Sequence, residues 1–338
     1  MGRKQGESRV SMKDVAAIAG VSTMTVSRAL RDPDSVSPEA RARILKVIDS
    51  VGYVPNRVAG SLSSSRTTLV ALIVPNLRNA LHAETIQGIS DVLHKHGFQL
   101  MISDCSNSLE REEALLRTYI AQQVCGVILH NTAHSPAVAR ILKAANIPCV
   151  ETGNLASRPL DMTVSYSNFE AGKAAAAHLV SLGYKRLAFA SLPTKNRDRI
   201  MALRKGFLAG ARKAGVPIKP ELALEVGPGL ASGAAAMVKM LKLAPKTQGA
   251  FFAGDVLGIG ALFECQRRGI KVPAQFAIVA SDDGELLQNT VPPLTTVRYP
   301  RYEIGVRAAE LIIARTAGKD PGPVNEDLGF EVIRRGST

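Results

Sequence analysis

Met12-Lys13-Asp14-Val15-Ala16-Ala17-Ile18-Ala19-Gly20-Val21-Ser22-Thr23-Met24-Thr25-Val26-Ser27-Arg28-Ala29-Leu30-Arg31 reads as two short helices joined by a tight turn. Helices that cross steeply need a small residue where they touch, and Ala16 supplies it. The turn needs a backbone that tolerates positive φ, and Gly20 supplies that. Val15, Ile18, Val21, Val26 and Leu30 are spaced to close one shared apolar face. Thr23, Met24, Ser27 and Arg28 are then left outward on the second helix. There they can reach base edges or phosphates in a DNA major groove.

Flanking signals agree. Ser11-x-x-Asp14 has the form of a capping box, and Ser22 or Thr23 can cap the second helix. Ser37-Pro38-Glu39 places a cap, a proline at the first helical position and an acid in the first turn of a third helix, Pro38 to about Val51. Residues 53–66, Tyr53 to Arg66, are short, small and polar and end in serines, as a linker would. At most they hold a marginal helix, weakened by Gly60. Leu62 in this tract is either a wedge for a DNA base step or a side chain resting on the next domain.

From Leu69 the pattern alternates strand and helix. Apolar strand-like runs fall at 69–74, 98–103, 126–130, 148–152, 162–166, 186–190, 222–226, 249–253 and 276–281. Helical stretches fall at 83–96, 169–182, 201–214, 232–243 and 256–268. Continuous apolar strands between helices indicate parallel sheets covered on both faces. So many strands exceed one comfortable sheet. Two doubly wound lobes are expected, with a ligand in the crevice at the carboxyl ends of the strands. The predicted fold is an N-terminal all-α helix-turn-helix headpiece plus an α/β core of two doubly wound parallel-sheet lobes, similar to periplasmic binding proteins. The expected domains are 1–52 (headpiece), 53–66 (hinge or linker) and 67–338 (core). Lobe 1 is about 67–167 plus 299–326, and lobe 2 about 168–298 plus 327–338.

Composition narrows the function. The 338 residues carry 42 Lys/Arg against 29 Asp/Glu, a net charge of +13, which favours nucleic acid or anionic ligands. No apolar run approaches the roughly 20 residues that span a bilayer. The polar start Met1 to Glu7 lacks the apolar core of an export signal, so a cytoplasmic protein without a membrane partner is expected. Cys105, Cys125, Cys149 and Cys265 are widely spaced and read as buried thiols. His130 and His134 fall in a loop after a strand and make a poor zinc pair. Gly227-Pro228-Gly229-Leu230-Ala231-Ser232-Gly233 follows a strand, but its third glycine is one residue late for a dinucleotide fingerprint. It reads as a loop and helix start. No phosphate-binding loop, nucleophile elbow or metal motif appears, so neither a cofactor nor enzymatic chemistry is expected.

Val21-Ser22-x-x-Thr25-Val26-Ser27-Arg28, Tyr53-x-Pro55-Asn56 and Ala59-x-x-Leu62, followed by a two-lobed core, resemble the lactose/galactose-repressor (LacI/GalR) family. Gly183-Tyr184, Arg186-Leu187-Ala188, Gly254-Asp255, Ser281-Asp282-Asp283 and Pro293-Leu294-Thr295-Thr296-Val297 extend the likeness over nearly the whole chain. Met24 to Arg28, Asn168-Phe169-Glu170-Ala171, Thr132-x-His134-x-Pro136, Val150-Glu151 and Phe263 to Pro273 are similar to its gluconate-repressor branch. The resemblance implies a homodimer, or a dimer of dimers, on a pseudo-palindromic operator. It assigns DNA contact to Ser22, Thr23, Met24, Thr25, Ser27, Arg28, Asn56, Arg57, Ala59 and Leu62, with Leu62 as the hinge wedge. It also implies a sugar-acid effector such as gluconate or a ketogluconate, which alters lobe closure and so the geometry at which paired hinges leave the core.

For the effector, the resemblance points to Leu81, His82, Glu151, Arg197, Arg199, Asp255, Asp282 and Tyr299. Physical chemistry is compatible. Lys195 to Arg199 follows a strand and opens a helix, where a dipole and guanidinium forks would hold a carboxylate, although a solvated basic loop reads the same way. Asp255 and Asp282 either accept from sugar hydroxyls or orient their own loops. His82 either contacts ligand or caps its helix. The sequence departs from the family pattern at Leu203, where an arginine is frequent, and at Gly254, where Asn precedes the aspartate. The rival reading is a sugar- or sugar-phosphate-binding protein whose N-terminal helices are only an interaction module.

Overall fold

The structure, a computed structural model, describes residues 10–54, 67–77 and 82–338. The expected contacts Asn56, Arg57, Ala59, Leu62 and Leu81 lie outside the described residues. Contacts divide the chain into two units, Met1–Thr67 and Thr68–Thr338.

The first unit is helical. Helix α1 (Met12–Ala19) opens on the capping box, with Ser11 Oγ accepting from Asp14 N and the Asp14 carboxylate accepting from Ser11 N at 2.8 Å. It ends at Gly20, left-handed at φ 67°. Helix α2 (Thr23–Arg31) is capped by Ser22, and α3 (Pro38–Val51) by Ser37 with Pro38 in its first turn. Val15, Ala16, Ala19, Val26, Ala29, Ile44 and Tyr53 make the core. Ile18 corrects the reading. Expected on the shared face, it is 60% exposed. The buried stripe of α1 is Val15, Ala16 and Ala19, and at 3.6 residues per turn Ile18 lies roughly 100° from its centre.

The second unit contains two six-stranded sheets. One holds β1 (Leu69–Val74), β2 (Gln99–Asp104), β3 (Gly126–Leu129), β4 (Cys149–Glu151), β5 (Met162–Ser165) and β11 (Val324–Asp327), in the order β11-β5-β4-β3-β1-β2, all parallel. The other holds β6 (Leu187–Ser191), β7 (Ala223–Glu225), β8 (Gly249–Ala253), β9 (Ala277–Ser281), β10 (Thr295–Arg298) and β12 (Glu331–Ile333), in the order β12-β10-β9-β8-β6-β7. There only the β10–β12 pair is antiparallel. Central strands are buried throughout, as expected of sheets covered on both faces. The chain passes between the sheets after β5, after β10 and after β11. β10, β11 and β12 are absent from the strand-like runs of the sequence because each mixes polar with apolar residues, Thr-Thr-Val-Arg, Val-Asn-Glu-Asp and Glu-Val-Ile.

The helices of this unit are α4 (His82–Lys95), α5 (Leu109–Ala121), α6 (Pro136–Ala145), α7 (Asn168–Ser181), α8 (Asp198–Lys213), α9 (Leu230–Leu243), α10 (Asp255–Arg267), α11 (Glu285–Asn289) and α12 (Arg301–Thr316). Three pairs of them touch through reciprocal glycines. A Cβ on Gly172 of α7 would overlap the Leu203 carbonyl of α8, and one on Gly206 of α8 would overlap the Phe169 carbonyl of α7. Gly88 and Gly305 join α4 to α12, and Gly233 and Gly260 join α9 to α10, in the same way. Backbone-to-backbone contact of this kind fixes the position of α8, whose first turn carries the basic loop.

Candidate DNA-reading helix and ligand cleft

Helix α2 divides its side chains by task. Val26 and Ala29 face the core. Ser22 Oγ accepts from Thr25 N at 3.1 Å and bonds Thr25 Oγ1 at 2.9 Å, so these two residues are engaged in starting the helix. Thr23, Met24 and Arg28 are exposed, Met24 at 62%, and Ser27 is half-buried. Their spacing sets Thr23, Met24, Ser27 and Arg28 near one another on successive turns, with Thr23 and Met24 in the positively polarised first turn. These four side chains share one outward face of the helix.

The cleft in the second unit has a volume of about 640 Å³. Its wall is made where strands end. Asn76 follows β1, Asn107 follows β2 and Asn168 follows β5. Leu192 and Pro193 follow β6, Gly227 to Gly229 follow β7, Gly254 and Asp255 follow β8, and Asp282 follows β9. Carboxyl ends of parallel strands leave such crevices in doubly wound folds. Of the expected effector residues, Arg197, Arg199, Asp255, Asp282 and Tyr299 line this cavity together.

The charges inside are unevenly satisfied. Asp282 pairs with Arg301 and accepts from Ser281 Oγ at 3.0 Å. Arg301 is buried, lies over the Tyr299 ring at 5.2 Å, and Tyr299 stacks on Tyr166 at 4.0 Å. Asp255 accepts only from the adjacent Val256 N, at 2.7 Å, among the described residues. Burial and the neighbouring Asp282 raise its pKa. Arg197 donates to the Pro193 carbonyl at 3.0 Å, and burial with Arg199 nearby lowers its pKa. Arg199 is half-buried and makes no hydrogen bond or ion pair among the described residues. Two guanidiniums, on either side of Asp198 in sequence at a helix start, thus face the cavity without a carboxylate bound to either.

Two expected residues lie elsewhere. His82 is buried and is not part of the cavity lining; it lies edge-on to His130 at 4.4 Å, with neither ring nitrogen partnered among the described residues. Burial, then Arg199 and Arg301, push its pKa down to about 3, which leaves a neutral ring. Glu151 is 1% exposed and belongs to a separate buried cluster. There His134 Nδ1 meets Glu112 Oε1 at 2.7 Å, His134 Nε2 meets Glu151 Oε1 at 3.3 Å, and Glu151 Oε2 accepts from Leu160 N at 2.6 Å. Burial alone would lower the His134 pKa, but the two carboxylates outweigh it and raise it to about 9.

Sequence reasoning missed Arg301, the three asparagines and the Gly227–Gly229 loop. Arg301 offered no clear signal, since its helix also carries Glu303, Arg307, Glu310 and Arg315. Among the described residues no group of His, Cys, Asp and Glu is set to hold a metal, and no helix is long and apolar enough to cross a membrane.

An outward-facing helix on a small helical headpiece, and a core of two sheets with a cleft at the strand ends, define the class of a helix-turn-helix protein with a separate α/β domain. Comparison with known proteins narrows this. Residues 11–56 match the model for bacterial regulatory proteins of the lacI family, and residues 176–338 match the periplasmic binding protein-like domain. The HTH-type transcriptional regulator GntR of Pseudomonas aeruginosa is 37% identical over 98% of this chain and 96% of its own length. The repressor CytR of Escherichia coli K12 is 32% identical over 100% and 99%. A LacI-family regulator from Silicibacter pomeroyi superposes with a TM-score of 0.91 at 32% identity, over 97% of this chain and 99% of that one. The chain belongs to the LacI family and is a DNA-binding transcriptional regulator.

Proposed function

We propose that this regulator represses genes of sugar-acid metabolism and is controlled by a small sugar acid, gluconate or a ketogluconate, bound in the cleft. The observation that carries the reading is the pair of guanidiniums of Arg197 and Arg199, which face the cavity without a carboxylate partner at the start of α8. A ligand carboxylate there gains charge-assisted, forked hydrogen bonds. Asp255, Asp282 and the asparagines are acceptors and donors suited to hydroxyls along the rest of such a ligand. Similarity to proteins named GntR supports the same branch, and a relative of known structure, 29% identical, is named as a complex of the regulator CelR with cellobiose, so a sugar-like ligand suits this core.

On DNA, Arg28 pairs with guanine O6 and N7, and Met24 packs on a thymine methyl. One headpiece reads one half-site, so a homodimer or dimer of dimers on a pseudo-palindromic operator follows. Partly exposed apolar side chains on α9 and α10, Leu230 and Phe263, suit a second copy. Ligand and operator are coupled because each favours one arrangement of the same core. The expected location is the cytoplasm.

Thermal melting against sugar acids, sugar phosphates and neutral sugars tests the effector class. The chain has no tryptophan, so calorimetry or circular dichroism is the readout. Stabilisation that rises with gluconate or ketogluconate concentration is expected. A shift only with a neutral sugar or a phosphate overturns the sugar-acid assignment. Deleting residues 1–66 tests the regulator against the rival binding protein: DNA binding is lost and ligand binding retained.

A further inference from the structure

Asp198 stands between the two cleft arginines in sequence, yet it pairs with neither. Its carboxylate reaches the other lobe. Oδ2 accepts from Thr132 N at 3.2 Å and from Thr132 Oγ1 at 2.5 Å. Thr132 belongs to the loop between β3 and α6 of the first sheet's lobe, and Asp198 is the first residue of α8 on the other lobe. A second bond crosses nearby, from Asn196 Nδ2 to the Asn107 carbonyl at 3.4 Å.

Both ends of this contact are anchored. The Thr132 loop is tied down on either side, by His130 Nδ1 on Thr152 Oγ1 at 3.1 Å and by His134 between Glu112 and Glu151. The Asp198 end is set by the glycine contacts of α8 on α7. The other carboxylate oxygen, Oδ1, is buried with no partner among the described residues. A carboxylate desolvated to this extent gives up water for the Thr132 donors and holds its position only while they are present.

We infer that Asp198 and Thr132 form a latch that holds the two lobes together and keeps the cleft arginines free for an anion. This rests on the proposed effector site and concerns its regulation. When the latch opens, Asp198 loses both donors, and the nearest cations to it in sequence are Arg197 and Arg199. It then competes with a ligand carboxylate for them. Closure and anion binding therefore reinforce each other, because each removes Asp198 from the arginines or rewards its absence.

The test places one spectroscopic label on each lobe, through Lys143→Cys and Lys239→Cys, both exposed positions, in full-length protein diluted with unlabelled chains. The four native cysteines are buried. Without ligand, Thr132→Val and Asp198→Ala each lengthen and broaden the interlabel distance. Thr132→Ser restores it, and the double variant is no worse than either single one. An unchanged distance in both Thr132→Val and Asp198→Ala overturns the latch. Titration with D-gluconate then tests the coupling. Affinity falls roughly 10-fold in Thr132→Val, the size of one hydrogen bond to a charged group, and recovers in Thr132→Ser. Altered distances with unaltered gluconate affinity overturn the coupling. If the parent protein itself fails to bind gluconate, the effector assignment falls, and the ligand-free distances still decide the latch.

Discussion

The headpiece and the cleft are built in opposite ways. The surface proposed to read DNA comes from one nine-residue helix, capped by its neighbour Ser22 and held on a core that includes Val15, Val26, Ile44 and Tyr53. The cleft draws on positions from Asn76 to Tyr299, brought together only because parallel strands end at one level. In the first, function is what the core leaves outside. In the second, function is what two folded lobes enclose, and its charges are tuned by burial. Local surfaces tolerate change at single positions, whereas an enclosed site depends on the packing that aligns its walls.

That contrast predicts a ranking of effects. Gly206→Ala, one helical turn beyond the cleft residue Leu203, pushes a Cβ into the Phe169 carbonyl and costs about 3 kcal/mol, read as a lower melting temperature of the core. A neutral outcome would mean that α7 and α8 can part without consequence, and the cleft would lose its rigid wall. The His134 cluster makes stability depend on pH. Its pKa is raised to about 9 in the folded protein from an ordinary 6.5, so its contribution is complete below pH 6.5 and is lost as pH rises through about 9. Calorimetry across that window shows the loss, and His134→Gln flattens the alkaline slope.

On the headpiece, Arg28→Ala costs about 1–3 kcal/mol of operator affinity and relaxes preference at one base pair. A uniform loss on all DNA would make Arg28 a phosphate contact instead. Ser22→Ala removes a helix cap and costs about 1 kcal/mol, seen in headpiece melting with core melting unchanged.

Legibility in the sequence follows the same divide. Gly20, Ser11-x-x-Asp14 and Ser37-Pro38 announce the headpiece because turn and cap chemistry is local, and each signal lies within three or four residues of what it satisfies. Ile18 misleads because an eight-residue helix buries a narrow stripe and the apolar spacing rule does not say where its edge falls. In the core, strands such as Leu69–Val74 and Gly249–Ala253 are plain, since full burial leaves a continuous apolar run. The cleft is legible only in part. Arg197, Arg199, Asp255, Asp282 and Tyr299 enter through family resemblance. Arg301, buried beneath the cavity and paired with Asp282, depends on a passage between the two sheets that no local pattern reveals. Glu151 resembles a cleft residue in sequence, yet in space it answers to His134, twenty-two positions from the other carboxylate, Glu112.

In the proposed function, an anion held by the cleft arginines controls operator binding. Operator affinity should therefore be measured with and without D-gluconate for the parent protein and for Arg199→Ala. Gluconate is expected to change the affinity of the parent, and Arg199→Ala to bind the operator normally but to need at least ~10-fold more gluconate for the same change. An equal response of both proteins, or none from the parent, would contradict that function.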